Sequence, residues 1–403
     1  MAKKDRYLVG LDIGSTKTCA LLAEMENEQI RFLALGAAES KGLRKGLIVN
    51  LDSAVSSIRR AVEEAESVAN VPVESAVIGV AGSHVRGVNS RGGFPLGPRA
   101  RDIEREDVRH AIDTARNIAL PADREVLHVL PHEFIVDAQD GIRDPVGMVG
   151  QRLEANVHIV TSLVAATQNL VTAANKAGIL INDTVLEPLA SAEACLTQDE
   201  RDLGCCLLDI GGGTTELIVY GGGVVRHTGA VAIGGDHFTN DLAVGLRTPI
   251  PEAERIKRQH GCAAERLLHN DSAIEIASVG DRPPRTIFSR MLTEIIDPRA
   301  QELLTLIAED LRRAGLDRQM PAGFVMAGGG ARLNGLLELT EEDFRLPARI
   351  AEPRGMLELP EQVGQPEYAT AVGLVLYAAK ARKAAAQRPG NLVSKLRSMF
   401  AGA

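Results

Sequence analysis

The residues that could perform chemistry are concentrated in two short segments of nearly the same sequence. Residues 11–18 read LDIGSTKT and residues 208–215 read LDIGGGTT, with five of the eight positions identical. Each segment separates two apolar runs, which predicts a strand, a tight turn and a returning strand. The backbone N–H groups of such a turn converge on one point and can bind a phosphate. The sequence therefore predicts two hairpins that hold a nucleotide from opposite sides, with Asp12 and Asp209 placed to hold hydrated Mg²⁺.

A third glycine-rich segment follows the apolar run FVMA at residues 324–327. Its glycines, Gly328, Gly329 and Gly330, allow the backbone to approach a flat ring or a phosphate closely. The residues that follow predict a helix start behind them. The sequence has neither a G-x-x-x-x-G-K-[ST] loop nor an early G-x-G-x-x-G segment. We therefore expect an architecture different from that of P-loop and Rossmann proteins.

These three motifs, in this order, resemble those of the superfamily that contains actin, the Hsp70 ATPase domain and the sugar kinases. The resemblance implies two lobes around a cleft that binds ATP and Mg²⁺, with Asp12 and Asp209 holding the metal through water. It also implies that Glu187, in the connecting-helix segment 186–192, orients an attacking water. The nucleotide-binding residues implied in this way are Asp12, Gly14, Ser15, Thr16, Lys17, Asp209, Gly211, Gly212, Gly213, Thr214, Thr215, Gly234, Gly235, Glu254, Lys257, Gly328, Gly329 and Gly330.

A closer resemblance extends from about residue 7 to residue 377 and resumes in the C-terminal tail. Residues 41–66, 77–92, 128–161 and 185–196 are similar to the FtsA family of bacterial cell-division proteins. This resemblance implies an α/β, actin-like ATPase fold of two similar lobes. It also implies an inserted small α+β subdomain and a C-terminal amphipathic helix.

The resemblance, together with turn-rich segments in the middle of the chain, implies five units. They are a first lobe (1–83 with 163–193 and 366–388), an inserted subdomain (84–162), a second lobe (194–235 with 320–365), a helical subdomain on the adenine side (236–319) and a membrane-targeting helix (389–403). Within the inserted subdomain, residues 102–118 predict an amphipathic helix with Asp102 as its N-cap. A second long helix is expected from Pro298 to Leu316.

The FtsA resemblance also implies partners and a location. The subunits are expected to join head-to-tail into a filament, a contact that extends without closing. The C-terminal tail of the tubulin-like protein FtsZ is expected to dock on the helical subdomain, and later division proteins on residues 84–162. The expected location is the cytoplasmic side of the inner membrane at the division site, as a peripheral protein.

Composition agrees with several subdomains and argues against nucleic acid as a partner. The 403 residues are 45% hydrophobic, the formal net charge is −8, and aromatic residues make up 3% with no Trp. The five cysteines lack C-x-x-C spacing and are expected to be reduced core residues. His128 and His132 bracket Pro131, which argues against a helical zinc pair. His84 and His158 are expected to form hydrogen bonds at subdomain edges.

The C-terminal tail combines positive charge with an apolar stripe. From residue 368 onward the sequence contains six Lys or Arg and no acid. Beyond Pro389, apolar residues recur at helical spacing, and anionic lipid attracts nearby basic residues. A membrane-surface helix is predicted, while a helix packed on its own protein is the alternative. The predicted membrane-contacting residues are Leu392, Val393, Lys395, Leu396, Arg397, Met399 and Phe400.

Two other functional classes share the predicted ATPase fold. A soluble small-molecule kinase would need an aspartate base above a second substrate, and no acceptor pocket is identifiable in the sequence. A chaperone ATPase would need a substrate-binding domain and a lid for which 403 residues leave no room. We expect ATP hydrolysis to be slow or absent, with ATP acting mainly as a structural switch between the lobes.

Overall fold

Apolar runs separated by glycine-containing turns form the first part of the first lobe. A computed structural model describes residues 6–268, 270–280 and 282–386, so the predicted membrane helix at 389–403 lies outside the described residues. The first elements are β1 (Tyr7–Ile13), β2 (Lys17–Glu26), β3 (Gln29–Glu39), β4 (Leu43–Arg44), β5 (Leu47–Ile48), α1 (Leu51–Ala69) and β6 (Ser75–Val80). Helix α1 begins after Asn50, whose side chain accepts a hydrogen bond from the Ser53 amide at 2.9 Å.

The inserted subdomain is an antiparallel sheet with one helix packed on it. Its elements are β7 (Arg86–Pro95), β8 (Arg101–Asp102), α2 (Arg105–Arg116), β9 (Arg124–Val136), β10 (Gln139–Ile142), β11 (Val149–Gly150) and β12 (Arg152–Leu163). The strand order is β10-β9-β12-β7, with β8 and β11 forming a separate pair. Ala111 and Ala115 on α2 are buried against this sheet in a core of its own.

The chain then returns to the first lobe and crosses into the second. The returning elements are α3 (Val164–Lys176), β13 (Leu180–Leu186) and α4 (Glu187–Cys195). The second lobe and the helical subdomain contain α5 (Gln198–Leu203), β14 (Cys205–Ile210), β15 (Thr215–Gly221), β16 (Val224–Val231), α6 (Gly235–Leu246), α7 (Ile250–His260), β17 (Ala273–Ile276), β18 (Arg285–Phe288), α8 (Ser289–Arg313), β19 (Phe324–Ala327), α9 (Leu336–Phe344) and β20 (Ala348–Ile350). The last described helix is α10 (Ala369–Ala386).

The repeat seen in the sequence is a repeat of topology. In the first lobe, β1 pairs antiparallel with β2 and parallel with β6, within the order β13-β6-β1-β2-β3. In the second lobe, β14 pairs antiparallel with β15 and parallel with β19, within the order β16-β15-β14-β19-β20. The two hairpins therefore occupy equivalent places in two similar sheets. The expected actin-like α/β architecture is confirmed.

A shared apolar core joins the two lobes behind the cleft. Leu21 of β2 and Leu207 of β14 belong to one buried cluster, which α4 and α10 complete. These central strands are buried on both faces and therefore read as continuous apolar runs rather than alternating ones. Beside this shared core, Lys380 of α10 forms an ion pair with Glu193 of α4.

Two predicted helix starts are wrong. Helix α2 begins after Glu104, whose amide donates to Asp107 Oδ2 at 2.8 Å. Asp102 is unavailable as a cap because it lies in β8, where it pairs with Val149 of β11. Helix α8 begins at Ser289, so Pro298 is inside the helix instead of opening it. Its buried stripe continues through this point, and packing of that stripe outweighs the hydrogen bond that proline removes.

The structure confirms the expectations for the cysteines and for His158 and corrects the expectation for His84. All five cysteines are buried and unpaired, as predicted. His158 forms two hydrogen bonds. Both ring nitrogens of His84 are buried and have no hydrogen-bond partner among the described residues, so the expectation for His84 is wrong. His128 accepts a hydrogen bond from the Leu186 amide at 3.0 Å, and the ring of His132 stacks on that of His158.

Candidate functional site

The two matched turns face each other across a cavity of about 550 Å³ between the lobes. In the first turn the Gly14 amide donates to Lys17 O at 3.0 Å, and in the second the Gly211 amide donates to Thr214 O at 3.0 Å. The same hydrogen bond therefore shapes both turns. Each turn follows a strand that ends near a buried aspartate, which puts the two carboxylates at the same end of the cavity.

The lobes approach closely at the tips of the turns. Thr16 Oγ1 donates to Asp236 Oδ1 at 3.4 Å, which links the first turn to the start of α6. A Cβ atom added at Gly212 would collide with Thr16 Oγ1. An alanine at position 212 would require the Thr16 side chain to change its rotamer or the two turns to separate, so glycine permits the close approach seen here.

Burial raises the pKa of both aspartates that line the cavity. It raises the pKa of Asp12 to about 6, while Lys17 opposes the rise and Asp209 adds to it. Burial also raises the pKa of Asp209, and hydrogen bonds from Ser191 Oγ at 2.7 Å and Thr370 Oγ1 at 3.1 Å oppose that rise. These donors come from α4 and α10. Helices α4 and α10 thus fix the orientation of the Asp209 carboxylate, one of the two predicted to hold Mg²⁺ through water.

Two glutamates complete an acidic end of the cavity. Glu187 opens α4 and packs against Gly79, where an added Cβ would lie 2.8 Å from Glu187 Oε1. Burial, followed by repulsion from Asp12, Glu216 and Asp209, raises the pKa of Glu187 well above its usual range. Burial likewise raises the pKa of Glu216 to about 8. Glu216 was not predicted from the sequence, although its place one residue after the LDIGGGTT segment was a usable signal.

Lys17 contacts the far side of the cavity in this structure. Its Nζ donates to Glu367 O at 2.7 Å and lies 3.7 Å from the centroid of the Tyr368 ring. Both partners precede α10 and line the cavity. Lys17, one of the predicted nucleotide-binding residues, is therefore at the site, held by a carbonyl oxygen and an aromatic face.

The third glycine-rich segment, residues 328–330, is built differently from the expectation of a helix start directly behind it. After β19, Gly328 adopts a φ of 80° and its amide donates to Pro366 O at 3.0 Å. A 3₁₀ turn at Gly329–Arg332 follows, and α9 begins only after Gly335. The glycine segment consequently leads into a 3₁₀ turn rather than directly into an α-helix. Gly330 packs on β14, where an added Cβ would lie 2.9 Å from Ile210 O.

Glu254 and Lys257 form an ion pair on α7 at the same end. Lys257 Nζ lies 2.6 Å from Glu254 Oε2 and donates to Gly235 O at 2.9 Å. It also donates to Thr239 Oγ1 at 2.8 Å. The pair thus connects α7 to the first turn of α6 and lines the cavity.

Most of the predicted nucleotide-binding residues line this one cavity, and two do not. Thr215 is fully buried and its hydroxyl donates to Ile233 O at 2.8 Å. Gly234 packs behind the second turn, where an added Cβ would lie 2.6 Å from the carbonyl oxygens of Gly211 and Gly212. Lining residues that the sequence analysis missed are Ile13, Gly46, Ala81, Leu170, Glu216, Asp236, Phe238, Arg258, Arg332, Leu333, Pro366, Glu367, Tyr368 and Thr370.

Most of the missed residues belong to segments without a repeated motif. Arg332 and Glu367, for example, come from separate parts of the chain and form an ion pair at 3.0 Å. Within residues 6–268, 270–280 and 282–386, no three His, Cys, Asp or Glu side chains are arranged to bind a metal ion directly. The carboxylates of Asp12 and Asp209 are the kind of oxygen ligand that a hydrated Mg²⁺ uses together with water and phosphate oxygens.

Comparison with known proteins identifies the family. The family model described as "Cell division protein FtsA" matches residues 206–373, and "SHS2 domain inserted in FTSA" matches residues 82–161. The chain is 43% identical over 373 residues to the cell division protein FtsA of Pseudomonas aeruginosa strain PAO1, covering 92% of this chain and 89% of that one. The chain belongs to the FtsA family. Escherichia coli K12 FtsA is 36% identical over 380 residues, covering 92% and 90% of the two chains.

Two solved structures share this fold at lower sequence identity than these FtsA sequences. A chain of the PilM–PilN type IV pilus biogenesis complex matches with a TM-score of 0.66 at 18% identity, covering 92% of this chain and 98% of that one. MreB5 of Spiroplasma citri bound to ADP matches with a TM-score of 0.58 at 15% identity, covering 96% and 100%. These likenesses show the fold alone. Membership of the FtsA family makes the protein an actin-like cell-division protein, rather than the small-molecule kinase considered from sequence.

One further observation concerns the membrane. No helix in the described part of this FtsA-family chain is long and apolar enough to cross a bilayer.

Proposed function

We propose that this protein binds ATP and Mg²⁺ between its lobes and uses the bound nucleotide to control its assembly. The observation that carries the proposal is the pair of matched turns, which face one cavity from two lobes and approach each other at Thr16 and Gly212. Converging backbone N–H groups in such turns suit phosphate oxygens. The solved MreB5 structures of the same fold, bound to ADP and to AMPPNP, support the proposal.

Each part of the cavity then has an assigned role. Asp12 and Asp209 hold Mg²⁺ through water, and the metal neutralises phosphate charge. Lys17 exchanges Glu367 O for a phosphate oxygen, and Glu187 orients water at the terminal phosphate. The three glycines at 328–330 and the pair Glu254–Lys257 bind the adenosine. We expect ATP hydrolysis to be slow or absent, because these contacts serve tight binding as well as turnover.

The proposed partners rest on membership of the FtsA family rather than on the geometry of the cavity. The protein assembles head-to-tail, binds the FtsZ C-terminal tail and recruits later division proteins through residues 84–162. A C-terminal helix with the apolar residues Leu392, Leu396 and Phe400 attaches the assembly to anionic lipid at the cytoplasmic side of the inner membrane. One short helix binds weakly and reversibly, whereas a polymer carries many and attaches by avidity.

Co-sedimentation with anionic vesicles tests this function. The full chain and a chain ending at Gln387 are compared with and without Mg-ATP. We expect nucleotide to increase binding of the full chain and truncation to abolish binding. Met399→Glu with Phe400→Glu is the matched variant, because it removes apolar contacts and keeps the helix length. Recovery of every form in the supernatant would contradict membrane attachment.

A further inference from the structure

The short hairpin of β4 and β5 presents two residues, Lys45 and Gly46, at its tip. Leu43 and Ile48, at its base, pack against the core of the first lobe. Both tip residues have positive φ, 52° for Lys45 and 77° for Gly46, which is the pattern of a type I′ turn. Asparagine followed by glycine is the preferred sequence of this turn, whereas lysine is uncommon at positive φ. Local backbone preference therefore does not explain the lysine.

The hairpin tip contacts both of the matched turns. The Gly46 amide donates to Ser15 Oγ of the first turn at 3.4 Å. A Cβ added at Gly213 of the second turn would lie 3.2 Å from both Cα and N of Lys45, and 2.7 Å from Ser15 Oγ. Ser15, Gly46 and Gly213 all line the cavity. The tip thus lies where the two turns meet, and a phosphate that both turns hold lies beside it.

The tip is on the Glu187 side of the cavity. A Cβ added at Gly46 would collide with Ala81 O. Ala81 lines the cavity and comes two residues after Gly79, against which Glu187 packs. Because Glu187 is proposed to orient water at the terminal phosphate, the hairpin tip is next to the position of that phosphate.

The Lys45 side chain has a charge that the protein leaves unpaired. Lys45 is half-buried and has no hydrogen bond or ion pair from its ammonium group within the described residues. By contrast, Lys17 and Lys257, which line the cavity, each donate to a carbonyl oxygen. Burial lowers the pKa of His237 at the start of α6, and the charge of Lys45 contributes to the decrease, so the ammonium group lies within electrostatic range of the second lobe. An anion in the cleft would stabilise this cation.

We propose that Lys45 recognises the terminal phosphate of a bound nucleoside triphosphate and makes the site select a triphosphate over a diphosphate. Gly46 rather than Lys45 lines the cavity in this structure, so Lys45 reaches the phosphate by rotating its flexible four-carbon stem. A diphosphate lacks the group that Lys45 contacts and gains nothing from it. This inference rests on the proposed function, because it requires a nucleotide in the cavity.

Calorimetry of the full chain with two ligands tests this role. Dissociation constants are measured for a non-hydrolysable ATP analogue with Mg²⁺ and for Mg-ADP. In Lys45→Asn we expect the constant for the analogue to rise about tenfold, the effect of losing one hydrogen bond to a charged group. The constant for Mg-ADP is expected to stay within about twofold of the wild-type value. Asparagine suits positive φ, so this variant removes the ammonium group and keeps the hairpin.

Lys41→Asn is the matched control. Lys41 precedes the same hairpin, its side chain is 63% exposed, and it is not among the residues that line the cavity. The substitution makes the same change in net charge, and both constants are expected to stay within about twofold of the wild-type values. Lys45→Arg keeps a cation that can bind phosphate and is expected to keep most of the preference for the triphosphate.

The outcomes separate the two proposals. If Lys45→Asn binds both ligands as the wild type does, or loses affinity for both equally, the role of Lys45 is overturned and the proposed function stands. An equal loss of triphosphate affinity in Lys41→Asn also overturns it, because net charge would then explain the effect. If the wild type binds neither ligand, the proposed function fails and the role of Lys45 fails with it.

Discussion

His158 of the inserted subdomain hydrogen-bonds to Thr228 of the second lobe. The two atoms, His158 Nε2 and Thr228 Oγ1, are 2.8 Å apart, and the bond is buried. His158 Nδ1 bonds in turn to Asn89 Oδ1 at 2.6 Å. The inserted subdomain is thus continuous in sequence with the first lobe but hydrogen-bonded to the second. If the cleft opened, the hydrogen bond between His158 and Thr228 would have to shift or break.

Thr228→Val is expected to destabilise the protein. Valine keeps the shape but leaves His158 Nε2 buried without a partner, which costs about 1–3 kcal/mol of unfolding free energy. The measurement is chemical denaturation of the variant and the wild type. Thr286→Val, on the exposed face of β18, is the matched control and is expected to change little. Equal stability of Thr228→Val and wild type would mean that the bond contributes nothing.

Acidification is expected to weaken the fold through His158. Burial, with smaller contributions from His132 and His227, lowers the pKa of His158 to about 3. The folded state therefore keeps His158 neutral, while the unfolded chain takes up a proton near its ordinary pKa of about 6.5. The stability that this histidine contributes is complete above about pH 6.5 and is lost as the pH falls toward 3. The loss is at most about 1.4 kcal/mol for each pH unit.

Denaturation measured from pH 7 to pH 4 checks this expectation. His158→Gln, which cannot gain a proton, should show a shallower loss of stability over the same range. A parallel pH dependence in His158→Gln and wild type would assign the loss to other groups. His132 is a second contributor in the same direction, because burial lowers its pKa to about 4.

The sequence predicted the parts of the site that lie within a repeated local pattern. Asp12 and Asp209 could be placed because each lies one residue before the end of a strand that leads into a turn, and strand–turn–strand patterns are local. Glu216 lies one residue beyond its motif and faces the cavity only because β15 returns along β14. Tyr368 comes from a segment far along the chain and reaches Lys17 through tertiary packing. No local pattern in the sequence predicts the contact between Tyr368 and Lys17.

The wrong helix starts have the same physical origin. Asp102 is a good N-cap residue by type, but strand pairing with Val149 removed it from the helix end. Pro298 is a good helix start by type, but the buried stripe of α8 continues on both sides of it. Local preferences were overruled in both cases by contacts with residues distant in the sequence.

Gly212→Ala is expected to weaken nucleotide binding. An added methyl group would collide with Thr16 Oγ1, so Thr16 would have to turn away from Asp236 or the two phosphate turns would have to separate. We expect the dissociation constant of Mg-ATP, measured by calorimetry, to rise at least about tenfold, equivalent to about 1.4 kcal/mol. Gly221→Ala, at the other end of β15, is the control because its added Cβ meets only Arg226 at ordinary contact distance. Unchanged affinity in Gly212→Ala would show that the closed approach is not needed for binding.

Nucleotide binding is expected to move Lys17 away from Tyr368. The ammonium group lies 3.7 Å from the ring centroid and donates to Glu367 O, and a phosphate is a stronger partner than either. The protein contains no Trp, so Tyr368→Trp introduces a single fluorescent reporter beside this lysine. We expect its emission to change when Mg-ATP is added, with the same concentration dependence as binding measured by calorimetry. Adding Lys17→Met to this variant removes the cation, and the change should then disappear. An identical emission change in both variants would show that the reporter responds to the nucleotide itself and that Lys17 keeps its place.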